Sequence, residues 1–131
     1  MNETAYGVVD TVTEEVASDS ITIHISSSKD VEKAVREYFA DIPVMIQVAR
    51  CESTFRHTTE NGNVLRGTVD NRDVGVMQIN TGYHALEAKK LGLDLLAFKD
   101  NMAYARHLYE AKGTQPWSSS SKCWNPSLAR I

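Results

Sequence analysis

Cysteine is scarce in this chain, which has 131 residues and only two cysteines, Cys51 and Cys123. Two thiols are too few for a four-thiolate zinc site, so that class of metal domain is excluded. They suit one disulfide or two free buried thiols, and spacing alone leaves both open. A disulfide closing so long a loop contributes on the order of 4 kcal/mol in the chain-entropy model, and it indicates an oxidising compartment.

Long apolar runs are missing too. No stretch reaches the roughly 18 to 20 apolar residues that a membrane helix needs, so we expect no membrane span. The N-terminus, MNETAYGVVD, lacks the basic start and apolar centre of a secretion signal. We therefore expect a soluble chain, which is either cut from a longer exported protein or exported by other means.

Neither charge sign is gathered into a block. The 14 basic and 17 acidic residues give a net charge of -3. Proteins that bind nucleic acids generally rely on basic patches, so we expect no nucleic-acid partner. There is no internal repeat, and the length suits one monomeric domain with a single core.

The first segment, residues 1–29, is rich in Glu, Asp, Ser and Thr. Its one alternating pattern, SITIHIS, predicts a short strand or a linker. We expect a poorly ordered linker before a folded domain of residues 30–125, with residues 126–131 as a tail.

Two helices are predicted next. KDVEKAVREYFAD has apolar residues at helical spacing, and VMIQVARC follows with Asp41 as a good N-cap and Pro43 in the first turn. On the second helix one stripe contains Val44, Met45, Val48 and Glu52. Glu52 is thus the polar last position of an apolar stripe, where burial is expected to raise its pKa.

Residues 56–80 are polar and rich in turn signals, with Asn61-Gly62 as a hairpin signal and Gly67 and Gly75 as further turn markers. Helical patterns return at HALEAKKLG and DNMAYARHLYEAKG, and PWSSSSKCW is predicted to be a Ser-rich loop that closes the ordered part. The order predicts an α+β domain that is mainly α, with a small β-hairpin lobe.

Three segments together resemble the lysozyme superfamily, which includes lysozymes and soluble lytic transglycosylases. They are CESTF (51–55), DVGVMQIN (73–80) and NMAYARHLY with PWSSSSKCW (101–124), in that order. The resemblance implies a lysozyme-like fold with a substrate cleft. It also implies cleavage of the β-1,4 bond between N-acetylmuramic acid and N-acetylglucosamine, with peptidoglycan glycan strands as partner, no cofactor or metal, and a location in the cell envelope, periplasm or medium.

By this resemblance Glu52 is the general acid. A glycosidic oxygen leaves poorly unless it is protonated, and a carboxyl kept neutral by an apolar pocket can supply the proton. Trp117 matches the tryptophan that packs over this glutamate in the family. Ser53 matches the residue after it, which supports the carboxylate or caps the helix end.

The second carboxylate is less defined. Asp73 stands where animal-type lysozymes place the group that stabilises or attacks the developing cation, although Asp70 competes for the role. Met77, by contrast, is the residue type of transglycosylases, whose A-Y-N-A-G motif is missing here. Hydrolysis and transglycosylation, in which the sugar's own hydroxyl closes a ring, therefore both stay open.

The resemblance also assigns substrate contacts. Gln78 and Asn80 match amides that hydrogen-bond the sugar chain, since acetamido groups offer one donor and one acceptor. Tyr83 matches an aromatic that stacks on a sugar, and Tyr104 is a second candidate for that wall, although either tyrosine can equally be a core residue. Cys51 and Cys123 match a pair that bridges this helix to the C-terminal tail.

Three rival interpretations remain. A cysteine hydrolase would use Cys51 as nucleophile with His57, His84 or His107 as base. A metal site is weaker, because His24 and these three histidines lack HxH or HExxH spacing. A lysozyme-like module could also bind peptidoglycan without cleaving it.

Overall fold

A computed structural model describes the backbone of residues 27–129 and the side chains of residues 27–127. The elements in this range are α1 (Ser28–Tyr38), α2 (Pro43–Ser53), β1 (Asp73–Val74), β2 (Ile79–Asn80), α3 (Thr81–Lys90), α4 (Phe98–Lys112), a 3-10 helix (Gln115–Ser120), α5 (Ser121–Trp124) and α6 (Pro126–Ala129). The prediction of a mainly helical α+β chain is confirmed. The SITIHIS pattern and His24 lie outside the described residues, as does most of the predicted linker.

Helix α1 packs through one face. Val31 and Val35 recur at a spacing of one helical turn, and both are fully buried, as is Phe39 just after the helix. The opposite face is charged, and Arg36 pairs with Glu32 one turn earlier at 2.8 Å. The amphipathic pattern of the sequence thus determines which side of α1 faces the core.

The start of α2 differs from the prediction. Pro43 lies in the first turn as expected, but the N-cap is Ile42 and Asp41 makes no capping bond. Both oxygens of the Asp41 carboxylate instead accept hydrogen bonds from the Arg106 guanidinium of α4, at 2.9 and 3.0 Å. Arg106 also donates to the Tyr38 carbonyl at 2.6 Å. Asp41 therefore ties the turn between α1 and α2 to α4.

The apolar stripe of α2 leads directly to Glu52. Met45 and Val48 are 0% exposed, and Glu52, one turn after Val48, is partly buried. The helix ends one residue later, and Thr54 and Phe55 then take left-handed backbone angles, with φ of 51° and 58°. This sharp reversal leaves Glu52 at the end of the helix.

The β lobe is smaller and lies later in the chain than the sequence indicated. Strands β1 and β2 pair antiparallel, with Asp73 opposite Asn80 and Val74 opposite Ile79. The predicted Asn61-Gly62 turn is present, with φ of 84° at Gly62, but a single Thr58 to Val64 bridge closes it. The paired strands therefore flank the turn at residues 75–78.

The C-terminal segment is bonded to the end of α2. Cys51 and Cys123 form a disulfide with Cα atoms 6.0 Å apart, so the predicted bridge is confirmed and the alternative of two free thiols is wrong. The bridge joins α5 to the residue just before Glu52. It thereby brings the segment that carries Trp117, Ser120 and Trp124 to the helix end.

One hydrophobic core holds these elements together. Its fully buried members come from α1, α2 and the β lobe as well as α4, and Trp117 and Trp124 close it from the C-terminal side. No helix in residues 27–129 is both long and apolar enough to cross a membrane.

Candidate active site

An open cleft of about 630 Å³ lies between the β lobe and the helices. Its wall includes six of the eight residues that the sequence assigned to catalysis or substrate binding: Glu52, Asp73, Gln78, Asn80, Tyr83 and Trp117. The remaining lining residues are Ile79, His84, Leu108, Lys112, Gln115, Pro116 and Ser119. The two outside this wall are Ser53 and Tyr104.

Glu52 enters the cleft from the end of the apolar face of α2. Burial raises the pKa of its carboxyl, a hydrogen bond from Ser120 lowers it in part, and the Asp73 carboxylate raises it again. The Ser120 hydroxyl donates to Glu52 Oε2 at 2.6 Å. A carboxyl in such surroundings stays protonated at higher pH than an exposed glutamate, so it can act as an acid.

Of the two candidate second carboxylates, Asp73 is the one in the cleft. Asn80, which lies opposite Asp73 on β2, donates to Asp73 Oδ1 at 2.9 Å and fixes this carboxylate. Asp70 is instead held by Arg72 at 2.8 and 3.0 Å, and this pairing keeps the pKa of the partly exposed Asp70 carboxyl well below its usual range. The structure therefore brings Asp73, and not Asp70, to the wall shared with Glu52.

The turn between β1 and β2 is held from three sides. The buried Asn101 of α4 accepts from the Met77 amide at 2.9 Å and donates to the Val74 carbonyl at 3.0 Å. The Trp117 indole donates to the Met77 carbonyl at 2.8 Å, and the Val76 amide donates to His57 Nδ1 at 3.0 Å. These bonds satisfy buried backbone groups and fix the turn that presents the next residue, Gln78, to the cleft.

Gly75 is the position in this turn where a side chain does not fit. Its φ is 78°, and an added Cβ would lie 2.5 Å from Asn101 Nδ2 and 2.6 Å from His57 Cε1. We expect Gly75→Ala to lower the free energy of unfolding by about 2 to 5 kcal/mol, because it adds left-handed strain to a clash with buried groups. Denaturant unfolding provides the measurement.

Gly62→Ala is the matched control for Gly75→Ala. Gly62 has a similar φ of 84° with nothing within 4 Å of an added Cβ, so its loss should stay near about 1 to 2 kcal/mol. Equal losses in the two variants would contradict the packing of Asn101 and His57 against Gly75.

Gln78 and Tyr83 occupy the cleft wall differently. Gln78 has a left-handed φ of 52°, and its side-chain amide donates to the Gly75 carbonyl at 3.0 Å. Tyr83, in the first turn of α3, is 77% exposed, and the Arg72 guanidinium lies 5.6 Å from its ring centre. An exposed ring beside a cleft is available to stack on an apolar face of a ligand.

Two predicted contact residues do not reach the cleft surface. Tyr104 is 1% exposed, and its hydroxyl lies 3.0 Å from Nδ1 of the cleft residue His84, so it belongs to the core beneath the cleft. Ser53 is 2% exposed; its hydroxyl donates to the Ala49 carbonyl at 3.0 Å and accepts from the Arg56 amide at 3.3 Å. Of the two roles predicted for Ser53, the structure places it in local capping.

The disulfide removes the nucleophile that a cysteine hydrolase needs, so that rival interpretation is wrong. His57 is also committed elsewhere. Its Nδ1 accepts from Val76, so Nε2 carries the proton and donates to the Leu96 carbonyl at 2.8 Å. Among residues 27–127, no group of three or more His, Cys, Asp or Glu side chains is placed to hold a metal ion.

His57 should make the fold sensitive to acid. Burial lowers its pKa below the ordinary 6.5, and the bond to Leu96 offsets this only in part. Stability from the neutral ring is therefore fully present above about pH 6.5 and is lost as the pH falls toward the folded-state pKa. We expect the unfolding temperature to drop by a few degrees between pH 7 and pH 5.

His57→Gln retains a donor and an acceptor at this site but cannot titrate. The drop between pH 7 and pH 5 should therefore shrink in the variant, and Glu52 contributes equally to both proteins. An undiminished drop in His57→Gln would contradict the assignment of the acid sensitivity to this ring.

No protein-family model, curated protein or solved structure matches the chain. The functional inference therefore rests on the cleft and on the sequence pattern.

Three residues important to this geometry were not assigned a role from the sequence, although all three lie in the segments that carry the family resemblance. Ser120 is 68 positions from Glu52, and Asn101 is 24 positions from Met77. Trp124, whose indole donates to Ser120 Oγ at 3.0 Å, lies in a segment that was predicted to be a loop and forms α5. The disulfide is the one available hint, because a bridge at Cys123 draws its neighbours toward Cys51 and Glu52.

Proposed function

We propose that this chain is a peptidoglycan muramidase with a lysozyme-like fold, which cleaves the β-1,4 bond between N-acetylmuramic acid and N-acetylglucosamine. One observation carries the proposal: Glu52, partly buried at the end of an apolar helix, opens onto a cleft that also presents the Asp73 carboxylate. This pairing of one carboxyl whose pKa is raised by burial with one in a polar setting suits glycoside cleavage.

In the proposed reaction Glu52 protonates the glycosidic oxygen as the bond from the sugar's C1 to that oxygen breaks. The bonding electrons move to the leaving oxygen, and positive charge develops at C1. Asp73, fixed by Asn80, stabilises that charge or attacks it. The oxygen of an incoming water, or of the sugar's own hydroxyl, then bonds to C1 and displaces Asp73 if Asp73 has attacked. Glu52, now a carboxylate, takes the proton from that oxygen and regains its starting state.

The second carboxylate favours water as that incoming group. A fixed anion at C1 can support an intermediate until water arrives, whereas closure by the sugar's own hydroxyl needs no such group. A retaining course requires the two carboxyl groups about 5 to 5.5 Å apart when substrate is bound. Hydrolysis leaves a reducing muramic acid, and transglycosylation leaves an anhydro sugar that is one water lighter.

The remaining cleft residues suit a chain of N-acetylated sugars. Gln78 keeps its amide oxygen as an acceptor for acetamido groups, and the exposed Tyr83 ring offers a stacking surface. Both N–H donors of Asn80 are already taken by Asp73 and Asp70, so Asn80 shapes the cleft wall by holding Asp73. The disulfide fits an oxidising compartment, so we place the protein in the cell envelope, the periplasm or the medium, acting as a monomer.

A second candidate function is glycan binding without cleavage. The exposed Tyr83 ring and the Gln78 amide favour it, because they would hold sugars whether or not Glu52 reacts. Incubation with purified peptidoglycan separates the two functions. Release of soluble fragments supports the muramidase, and co-sedimentation without release supports the binding module.

A further inference from the structure

Ser120 makes the one protein hydrogen bond to the Glu52 carboxyl that the described residues provide. Its Oγ lies 2.6 Å from Oε2, at the short end of the range for a hydroxyl that donates to a carboxyl oxygen. Ser120 ends the 3-10 helix and is partly buried. The contact links the candidate acid to a part of the chain distant in sequence.

Trp124 limits where the Ser120 hydroxyl can point. An indole N–H is only a donor, and Trp124 Nε1 lies 3.0 Å from Ser120 Oγ and 3.3 Å from the Trp117 carbonyl. Because Oγ accepts that bond, its own hydrogen must go to another acceptor. The choices are Glu52 Oε2 at 2.6 Å and the Trp117 carbonyl at 3.1 Å, and the shorter bond is the stronger.

The disulfide fixes the same contact from the other side. Cys123 lies between Ser120 and Trp124 in sequence, and it is bonded to Cys51, the neighbour of Glu52. Glu52 is thus held through the residue just before it, and Ser120 through residues three and four positions later in the chain. Such support from neighbouring groups is what keeps a reactive carboxyl in one orientation.

We propose that Ser120 is a positioning residue for Glu52: oriented by Trp124, its hydroxyl holds Oε2 and leaves Oε1 to carry the proton given to the leaving oxygen. The inference rests on the proposed function. As the proton leaves Oε1 the carboxyl becomes an anion, and the bond from Ser120 strengthens. Ser120 keeps its own proton throughout, so it favours the transition state without joining the exchange.

The test compares Ser120→Ala with Ser120→Thr, which keeps a hydroxyl, and with Ser118→Ala, an exposed serine outside the cleft. The first readout is the pH titration of the ¹³C-labelled Glu52 carboxyl by NMR, assigned from its loss in Glu52→Gln. Loss of the donor should raise the pKa of Glu52 in Ser120→Ala, whereas Ser120→Thr and Ser118→Ala should titrate like the wild type. Trp124→Phe should also raise the pKa of Glu52, but by less than Ser120→Ala does.

The second readout is the pH profile of peptidoglycan cleavage. In Ser120→Ala we expect kcat to fall about tenfold, as for a misoriented group, and the alkaline limb to move to higher pH. Ser120→Thr should restore most of both. If Ser120 had only a structural role, Ser120→Ala would lower the free energy of unfolding and leave the alkaline limb of the pH profile where it is in the wild type.

The possible failures are distinguishable. If Glu52 titrates identically in Ser120→Ala, Trp124→Phe and the wild type, the positioning role is overturned, whatever the activity. If the Glu52 titration shifts but neither the wild type nor any variant cleaves peptidoglycan, the contact between Ser120 and Glu52 stands and the proposed function fails.

Discussion

Replacing Glu52 with glutamine is expected to lower the rate of peptidoglycan cleavage by about 10² to 10⁴, the range that a general acid contributes. Glutamine has nearly the same shape and can still accept the bond from Ser120, but it has no proton to give. Binding to insoluble peptidoglycan should therefore persist. Release of soluble fragments by purified protein provides the measurement.

The same substitution should stabilise the fold near neutral pH. The folded-state pKa of Glu52 is raised above the ordinary 4.5, so its contribution is fully present below about pH 4.5 and is lost as the pH rises through the folded-state pKa. Glu52→Gln removes this loss. Its unfolding temperature should exceed that of the wild type at pH 7, and the two should converge near pH 4.

Glu60→Gln is the matched control, since Glu60 is exposed and lies outside the cleft wall. It should leave cleavage unchanged. Equal cleavage by wild type and Glu52→Gln would refute the catalytic assignment. The unfolding temperature of Glu52→Gln distinguishes loss of the acid in a folded protein from loss of the fold.

Removing the disulfide is expected to lower the free energy of unfolding by about 4 kcal/mol. The bond joins residues 72 positions apart, and the chain-entropy model gives about this value for a loop of that size. Cys123 is exposed and Cys51 only partly buried, so Cys51→Ala with Cys123→Ala adds little cavity cost. Denaturant unfolding of the double variant, and of wild type under reductant, provides the measurement.

The disulfide should also influence the acid through Ser120. In the double cysteine variant, held at a temperature where it stays folded, we expect the Glu52 titration to move in the direction found for Ser120→Ala. Adding Ser120→Ala should then have a smaller further effect, because both changes release the same contact. Full additivity would show that the bridge stabilises the fold without supporting the carboxyl.

The position of Glu52 could be predicted because it follows from local periodicity. Residues 45, 48 and 52 fall on one face of any regular helix, and burial of Met45 and Val48 places the carboxyl at the edge of the core. The pairing of the cysteines came from the resemblance, since two thiols alone left it open. Both predictions depend on few and simple constraints.

The errors arise where distant groups override local signals. Asp41 has the sequence of an N-cap, but the guanidinium of Arg106, 65 positions later, takes its carboxylate. Tyr104 was a candidate for either the cleft wall or the core, and the packing of α4 buries it in the core. Thr54, Phe55 and Gln78 take left-handed backbone angles although none of them is a glycine. The reversal after α2 and the conformation of Gln78 were therefore not predictable from residue type, whereas Gly75 did mark the turn between β1 and β2.

Mass spectrometry of the fragments released from purified peptidoglycan tests the central claim most directly. Wild-type protein should release disaccharide peptides that end in muramic acid, with hydrolysed ends exceeding anhydro ends, and Glu52→Gln should release almost none. Fragments cut at peptide bonds, fragments ending in N-acetylglucosamine, or equal release by the Glu52→Gln variant would contradict a muramidase that uses Glu52 as its acid.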